Sequence, residues 1–364
     1  MIRVLVVDDS LFVCRLLTFY LQSSPEFEVA GMALDGAQAV NLVAELKPDV
    51  VTMDLEMPGM DGLETLQRIM YDHPTPVVMI SGVSRRAAKV TLQALEAGAV
   101  DFVLKYSPGA ATNPDALRLE ILSKVRAAAG IKVVRSLRPH KHGKPYKLGL
   151  NRQAAGPELE NGDGHTAARS EPVIPLPGGV VVIGASTGGP VAVRELLAQL
   201  PADFPAAVIV VQHIPASFTP VLAAQLDRWV EIKVKEAAAG DKLKAGQVFV
   251  APGDFHLLVR PDSRIQLSQG PKIKGHRPSI DVTMQSAAQV YGGRARGVVL
   301  TGMGDDGTMG LVAIRAKGGK TFAQDAASCV ANGMPQQARE RGAVDFVAEP
   351  SRIAEMLAGQ VYWQ

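Results

Sequence analysis

Short apolar runs alternate with stretches of helical periodicity from the first residues of the chain. RVLVV, FEVAGMAL, DVVTM, PVVMI and DFVL have the length and β-branched character of buried strands. Between them LFVCRLLTFYL, AQAVNLVAEL, Leu63–Tyr71, AAKVTLQALEAG and DALRLEILSKVRAA repeat apolar positions every three to four residues. Strands interleaved with helices in this way predict a parallel sheet with right-handed crossovers and helices on both faces. Residues 131–175 lose the periodicity and collect Gly, Asn, Pro and Ser, which reads as a flexible linker. A second α/β pattern begins at GGVVVIGAS, continues through VAVRELLAQL and AAVIVVQH, and resumes at RGVVLTGMG, MGLVAIRAKG, KTFAQD and VDFVAE. Val248–Ser268 alternates between Gly and Pro punctuation and predicts an inserted hairpin. The expected organisation is an α/β domain over residues 1–125, a basic linker over 126–175, and a doubly wound, mostly parallel α/β domain with an inserted β-hairpin over 176–364.

Composition narrows the class of protein. The chain has 364 residues, 47% apolar and 20% charged, enough for two buried cores. No apolar run approaches the ~18 residues of a membrane span, and the N-terminus runs from VLVV into two aspartates, so neither membrane insertion nor a signal peptide is expected. Cys14 and Cys329 lie far apart, which argues against a disulfide framework or a zinc site and for a cytoplasmic location. Net charge is +2, which excludes a strongly basic nucleic-acid binder. That figure hides an asymmetry: residues 1–125 hold 10 Lys/Arg against 16 Asp/Glu, 126–175 hold 9 against 4, and 176–364 hold 19 against 16. An acidic domain, a basic joint and a mildly basic domain follow one another.

The first candidate chemistry lies at strand ends. Asp8 and Asp9 follow the first strand and Asp54 ends the third, so a parallel sheet brings them to the carboxyl edge where open α/β folds bind ligands. Three carboxylates repel one another unless a hard cation such as Mg²⁺ joins them. Lys105 ends the fifth strand and Ser81 the fourth, and they converge on the same edge. The set suits an acyl phosphate on Asp54, with Mg²⁺ and Lys105 holding oxygens and Ser81 sensing the new charge. Any one of these aspartates alone reads more simply as a helix cap.

The second lies in Gly184-Ala185-Ser186-Thr187-Gly188, a G-x-S-x-G turn between a strand and a helix that presents the serine hydroxyl. The same turn alone also suits a phosphate cradle on a helix N-terminus. His213, ending the next strand, is placed to act as base, and Asp306 or Asp305 of LTGMGDDG to orient it. Of the other histidines, His73, His140, His142 and His165 fall in the first domain or the linker and His256 and His276 in the second; His213 is expected to be the one at the sheet edge nearest Ser186.

VLVVDDS, DVVTMDLEMPGMDG, VVMISG and the ending Phe102-Val-Leu-Lys105 resemble the receiver domain of bacterial response regulators. The resemblance implies a flavodoxin-like (βα)5 fold, Asp54 as phosphoacceptor, Asp8 and Asp9 serving the metal, Ser81 and Phe102 as switch pair, and Lys105 as the family lysine. Tyr106 departs from the proline usual after that lysine. GASTGGP, VQHIP, APGDFHLLV, GHRPSIDVTM and LTGMGDDGTMG resemble the catalytic domain of chemotaxis protein-glutamate methylesterases, the CheB family. That resemblance implies Ser186 as nucleophile, His213 as general base and acid, Asp306 rather than Asp305 as orienting carboxylate, and the N–H groups of Thr187 and Met303 as oxyanion donors. It gives Asp281 and His256 no definite role. The implied activity is phosphorylation-activated hydrolysis of glutamate γ-methyl esters, with receptor glutamine deamidation as a second reaction found in some members. The implied partners are methylated chemoreceptor cytoplasmic domains and a chemotaxis histidine kinase, the enzyme being a monomer with no cofactor for the esterase step. Arg277, Arg294 and Arg296 are expected at a basic cleft rim facing the acidic receptor. The unphosphorylated receiver is expected to cover the cleft, released by local repacking rather than by bulk charge. The rival reading is a receiver-regulated binding protein whose Gly-rich GASTGGP turn holds a phosphorylated ligand.

Overall fold

A computed structural model of the chain describes residues 1–82, 84–105, 114–131 and 178–359. Tyr106, nearly all of the expected linker and the C-terminal residues 360–364 lie outside these, as do His140, His142 and His165. The N-terminal half is a five-stranded sheet of β1 (Ile2–Val7), β2 (Phe27–Ala33), β3 (Val50–Asp54), β4 (Val77–Ser81) and β5 (Asp101–Leu104), in the order β2-β1-β3-β4-β5. All pairings are parallel. Its central strands are buried on both faces, which is why they read as unbroken Val/Ile/Met runs rather than alternating ones. Helices α1 (Leu11–Gln22), α2 (Gly36–Leu46), α3 (Gly62–Asp72), α4 (Arg85–Glu96) and α5 (Pro114–Ala129) cross over between them. Polar caps start them: Asp35 accepts from the Gln38 amide and Asp61 from the Glu64 amide, each at 2.8 Å. The last helix runs to Ala129, past the expected domain boundary.

The C-terminal half is a seven-stranded parallel sheet in the order β14-β13-β12-β6-β7-β9-β8. The strands are β6 (Val180–Ala185), β7 (Ala207–Gln212), β8 (Lys233–Glu236), β9 (Gln247–Val250), β12 (Ala295–Val299), β13 (Lys320–Gln324) and β14 (Phe346–Ala348). Helices α6 (Gly189–Leu197), α7 (Thr219–Trp229), α8 (Ile280–Tyr291), α9 (Thr308–Ala316), α10 (Gly333–Glu340) and α11 (Pro350–Ala358) cover its faces. The hairpin is real but shorter than its alternating pattern suggested: β10 (His256–Val259) pairs antiparallel with β11 (Ile265–Ser268) as a separate ribbon. Val248–Val250 instead belong to β9, parallel to β7. A buried half of β9 and a hairpin strand share the same short apolar signature, and only the pairing partner separates them.

The two halves meet through the α4–β5–α5 face of the first. Helix α4 packs on α6 and α7, and a single apolar cluster runs from Leu92, Leu95 and Phe102 into Val193, Phe218 and Leu222. Phe102 and Phe218 are stacked, with ring centroids 4.7 Å apart and planes inclined by 4°. Phe218 is fully buried, so Phe218→Ala is expected to cost about 3 kcal/mol, read as a lowered denaturation midpoint of the full-length chain; an unchanged midpoint would mean that this stack carries no packing.

Candidate active site

Strands β6 and β7 are neighbours in register, so the turn after β6 and the residue after β7 come together at the carboxyl edge. Ser186 is half-buried at the start of that turn, and its amide donates to Thr301 O at 3.0 Å. Gln212 reaches across with its side chain and donates to Ser186 O at 2.8 Å, so the end of β7 clamps the serine turn. The following Gly188 has φ 74°, a left-handed conformation that a side chain would strain, and it opens α6. Gly302 is needed for a different reason: a Cβ there would sit 2.8 Å from the Ser186 Cβ, so the segment leading into Met303 lies directly against the serine.

His213 Nε2 lies 2.9 Å from Asp306 Oδ2. His213 Nδ1 is buried and has no hydrogen-bond partner among the described residues. Asp306 also accepts from Ser279 Oγ (2.9 Å) and from the amides of Ile280 (2.8 Å), Asp281 (3.0 Å) and Gly307 (3.1 Å). Burial opposes its ionisation, but the His213 hydrogen bond and charge, with the Asp281 and Ile280 amides, outweigh that and hold the carboxyl well below its ordinary value. Ile280 and Asp281 are the first turn of α8, so Asp306 sits on that helix's positive end. Asp281 returns the arrangement: its Oδ1 accepts from the amides of Gly307 (2.9 Å) and Gly310 (2.7 Å) at the start of α9. Burial pushes the Asp281 carboxyl up, against the Gly310 amide, and Lys274 lies 3.4 Å away with Asp305 as its closer partner at 2.7 Å. Asp305 is thus engaged outside the His213 pair.

At the other carboxyl edge, ligand oxygens of Asp8, Asp9 and Asp54 lie within 4.8 Å of one another. Lys105 Nζ bridges Asp8 Oδ2 (2.8 Å) and Asp54 Oδ2 (2.9 Å). Burial pushes the Asp54 carboxyl up, with Lys105 pulling it down; the lysine, shared between two carboxylates, is raised despite its own burial. Ser81 is buried with its hydroxyl 2.6 Å from Thr91 Oγ1 on α4. Between the two edges Thr187 Oγ1 donates to Asp101 Oδ2 across the halves at 2.7 Å, and Ser123 on α5 lies 3.8 Å from Met303 Sδ.

Residues 181–357 match the CheB methylesterase family model and residues 4–111 the response regulator receiver domain. A protein-glutamate methylesterase/protein-glutamine glutaminase of Symbiobacterium thermophilum is 45% identical over 361 residues, covering 99% of this chain and 97% of that one. The chain belongs to this family. One from Pyrococcus horikoshii is 41% identical over 363 residues, covering 99% and 94%. The crystal structure of the Thermotoga maritima CheB methylesterase catalytic domain is 42% identical, covers 50% of this chain and 97% of that one, and superposes with a TM-score of 0.48.

Within this CheB-family hydrolase, three expectations need correction. His213 is not alone beside Ser186's edge: His276, from the loop before α8, lies parallel to it with ring centroids 3.9 Å apart and planes inclined by 3°. Burial, with the neighbouring His213, pushes the His276 imidazole down to about 4. Arg294 and Arg296 are not at the cleft rim. They stand at the amino end of β12, the edge opposite the catalytic one, where Arg296 is buried and donates to Gly293 and Ala295 carbonyls and Arg294 lies over Tyr291. Arg277 is on the catalytic side but occupied by the Gln269 and Gly270 carbonyls and Asp254. His256 finds a role as support: its Nδ1 accepts from the Ser279 amide at 3.2 Å and its Nε2 is 2.9 Å from Pro271 O, holding the residue that serves Asp306. The motif GHRPSID carried these contacts in sequence, but nothing in its spacing tells that His276 would meet His213. An aromatic pair is worth about 1 kcal/mol, so His276→Ala is expected to lower kcat about fivefold at nearly constant KM, with His276→Phe restoring most of it; a loss confined to KM would instead make His276 a substrate contact.

Proposed function

We propose that this chain hydrolyses glutamate γ-methyl esters on the cytoplasmic domains of chemoreceptors, under the control of phosphorylation at Asp54. The observation that carries the esterase assignment is the His213–Asp306 pair beside the Gln212-clamped Ser186 turn. An Nε2–H donated to Asp306 leaves the lone pair on Nδ1, the nitrogen then available for the Ser186 proton. Ser186 attacks the ester carbonyl, and the N–H groups of Thr187 and Met303 take the oxyanion charge. The His213 imidazolium then protonates departing methoxide, giving methanol and an acyl-enzyme, and a water activated by His213 releases the glutamate. A glutamine amide enters the same sequence with ammonia as leaving group, the second reaction in the names of its relatives.

For the receiver half, the oxygen-only set of Asp8, Asp9 and Asp54 fits a hard divalent cation, with Asp8 and Asp9 holding Mg²⁺ beside the Asp54 acceptor. The ion would neutralise phosphoryl charge there. Lys105 contributes a second positive charge to the phosphoryl oxygens, and Asp54 supplies the attacking oxygen. Ser81 turns from Thr91 toward the new phosphate, freeing space into which Phe102 repacks. Phe102 is stacked on Phe218, and its neighbour Asp101 holds Thr187, the residue after the nucleophile. Repacking there would loosen the contact between the halves at Thr187, beside the serine, with a monomer in the cytoplasm as the acting species and residues 126–175 as the joint.

Mass spectrometry of methylated receptor incubated with the chain tests the esterase: loss of methyl groups with the wild type and none with Ser186→Ala is the expected result. Hydrolysis by Ser186→Ala at the wild-type rate would return the serine to a binding role. In the full chain without phosphodonor, Asp101→Ala is expected to raise hydrolysis severalfold by cutting the Thr187 tether; an unchanged basal rate sinks this contact as an inhibitory one.

A further inference from the structure

The turn that carries Ser186 is held by a side chain whose own hydrogen bonding is incomplete. Gln212 ends β7, is 1% exposed, and donates from Nε2 to Ser186 O at 2.8 Å. Its Oε1 is buried and has no donor among the described residues. That oxygen is packed on the start of α6. A Cβ on Gly189 would lie 2.0 Å from it and 2.8 Å from the Ala185 Cβ, so the last glycine of GASTGGP leaves the room that Gln212 fills. A buried amide oxygen without a donor costs stability. A methionine, similar in length, would fill the volume without that cost, so packing alone does not account for a glutamine here. The hydrogen bond it makes has a geometric effect. Ser186 O and the Thr187 N–H belong to one planar, trans peptide unit, so they point in opposite directions. Ser186 O accepts from Gln212 Nε2 and also from the Gly189 amide at 2.9 Å, and two donors on one oxygen fix the plane. The Met303 N–H is fixed from another side: Gly302 O, in the same peptide unit, accepts at 2.9 Å from the amide of Met334 in the first turn of α10. Neither the Thr187 nor the Met303 N–H has an acceptor among the described residues. Thr187 is buried, where an N–H is ordinarily paired.

We infer that Gln212 is a positioning residue for the hydrolysis, holding the Ser186–Thr187 peptide so that the Thr187 N–H stays turned to the oxyanion. This rests on the reading of Ser186 as nucleophile with the Thr187 and Met303 N–H groups as oxyanion donors. Gln212 acts through the peptide, from the carbonyl side opposite the donor. Of the two anchored peptides, only this one is held by a side chain, so it is the one open to substitution. Without Gln212 the peptide keeps the Gly189 bond alone and can tilt about its flanking torsions. The tilt turns the donor away as charge develops on the ester oxygen, where a preorganised N–H matters most. The ground state, with an uncharged carbonyl, loses much less, so the effect falls on kcat rather than on KM. Folding gains or is unchanged, because the substitution that removes the donor also removes the unpaired oxygen.

The test uses the full-length chain, incubated with phosphoramidate and a chemoreceptor cytoplasmic domain carrying radiolabelled methyl esters. Released methanol gives kcat and KM, and chemical denaturation of the same proteins gives their stability. Gln212→Met is expected to lower kcat about tenfold with KM within about twofold of the wild type, at a denaturation midpoint equal to the wild type's or above it. Gln212→Glu keeps the shape but sets a carboxylate against Ser186 O, which favours the peptide turned over with its N–H toward that carboxylate. It is expected to lower kcat further, about a hundredfold. Wild-type kcat in either variant overturns the inference. A raised KM at constant kcat overturns it as well, because Gln212 then contacts substrate. So does a kcat loss in Gln212→Met that comes with a lowered midpoint, which makes the residue a structural one. A wild type that releases no methanol removes the esterase reading and this inference with it, whereas active wild type with unchanged variants removes this inference alone.

Discussion

The carboxylate of Asp306 holds the catalytic half together at its working edge. It is 2% exposed and gathers the His213 ring, the Ser279 hydroxyl and the amides of Ile280, Asp281 and Gly307. A buried carboxylate is costly unless its oxygens are satisfied, and here the donors come from a strand end, a helix start and its own loop. Because Asp281 gives the same service to α9, the two helices are tied head to head by reciprocal caps. The geometry of His213 is therefore a by-product of how α8 and α9 begin. Removing one acid would disturb two helix ends as well as the histidine.

This coupling explains why residues with no direct chemistry cluster around the site. His256 reaches the Ser279 amide, Ser279 reaches Asp306, and Asp306 reaches His213, so a hairpin strand is joined through hydrogen bonds to the His213 ring. Lys274 lies between Asp281 and Asp305, neutralising acids that would otherwise crowd the Asp306 charge. His276 adds a flat neighbour that restricts the His213 ring. Burial keeps His276 low in proton affinity, so at neutral pH it presents no cation beside the His213 ring.

The contact between the halves uses the same economy of position. The turn carrying Ser186 also offers Thr187 to Asp101, and the strand that runs into Lys105 also carries Phe102 to Phe218. One short strand, β5, thus leads into the Asp8–Asp54–Lys105 cluster at one end of its sequence and meets the C-terminal half along its face.

Much of this was legible in the chain alone. Parallel α/β topology sends every strand's carboxyl end to one edge, so Asp8, Asp54 and Lys105, and likewise Ser186, His213 and the Asp305-Asp306 pair, could be assembled from strand-end positions without coordinates, the choice of Asp306 resting on the family motif. Periodicity identified the strands and most helices because their burial is decided locally, by which faces are apolar. What the pattern could not decide depends on contacts between segments distant in sequence. Val248–Val250 look alike whether they join a hairpin or a parallel sheet; Arg294 and Arg296 look available until the strand direction puts them at the far edge. His276 became a neighbour of His213, and Asp281 a cap of α9, only when the loop before α8 folded back over the sheet. Those outcomes turn on which surfaces meet, a property of the packed chain rather than of any stretch within it.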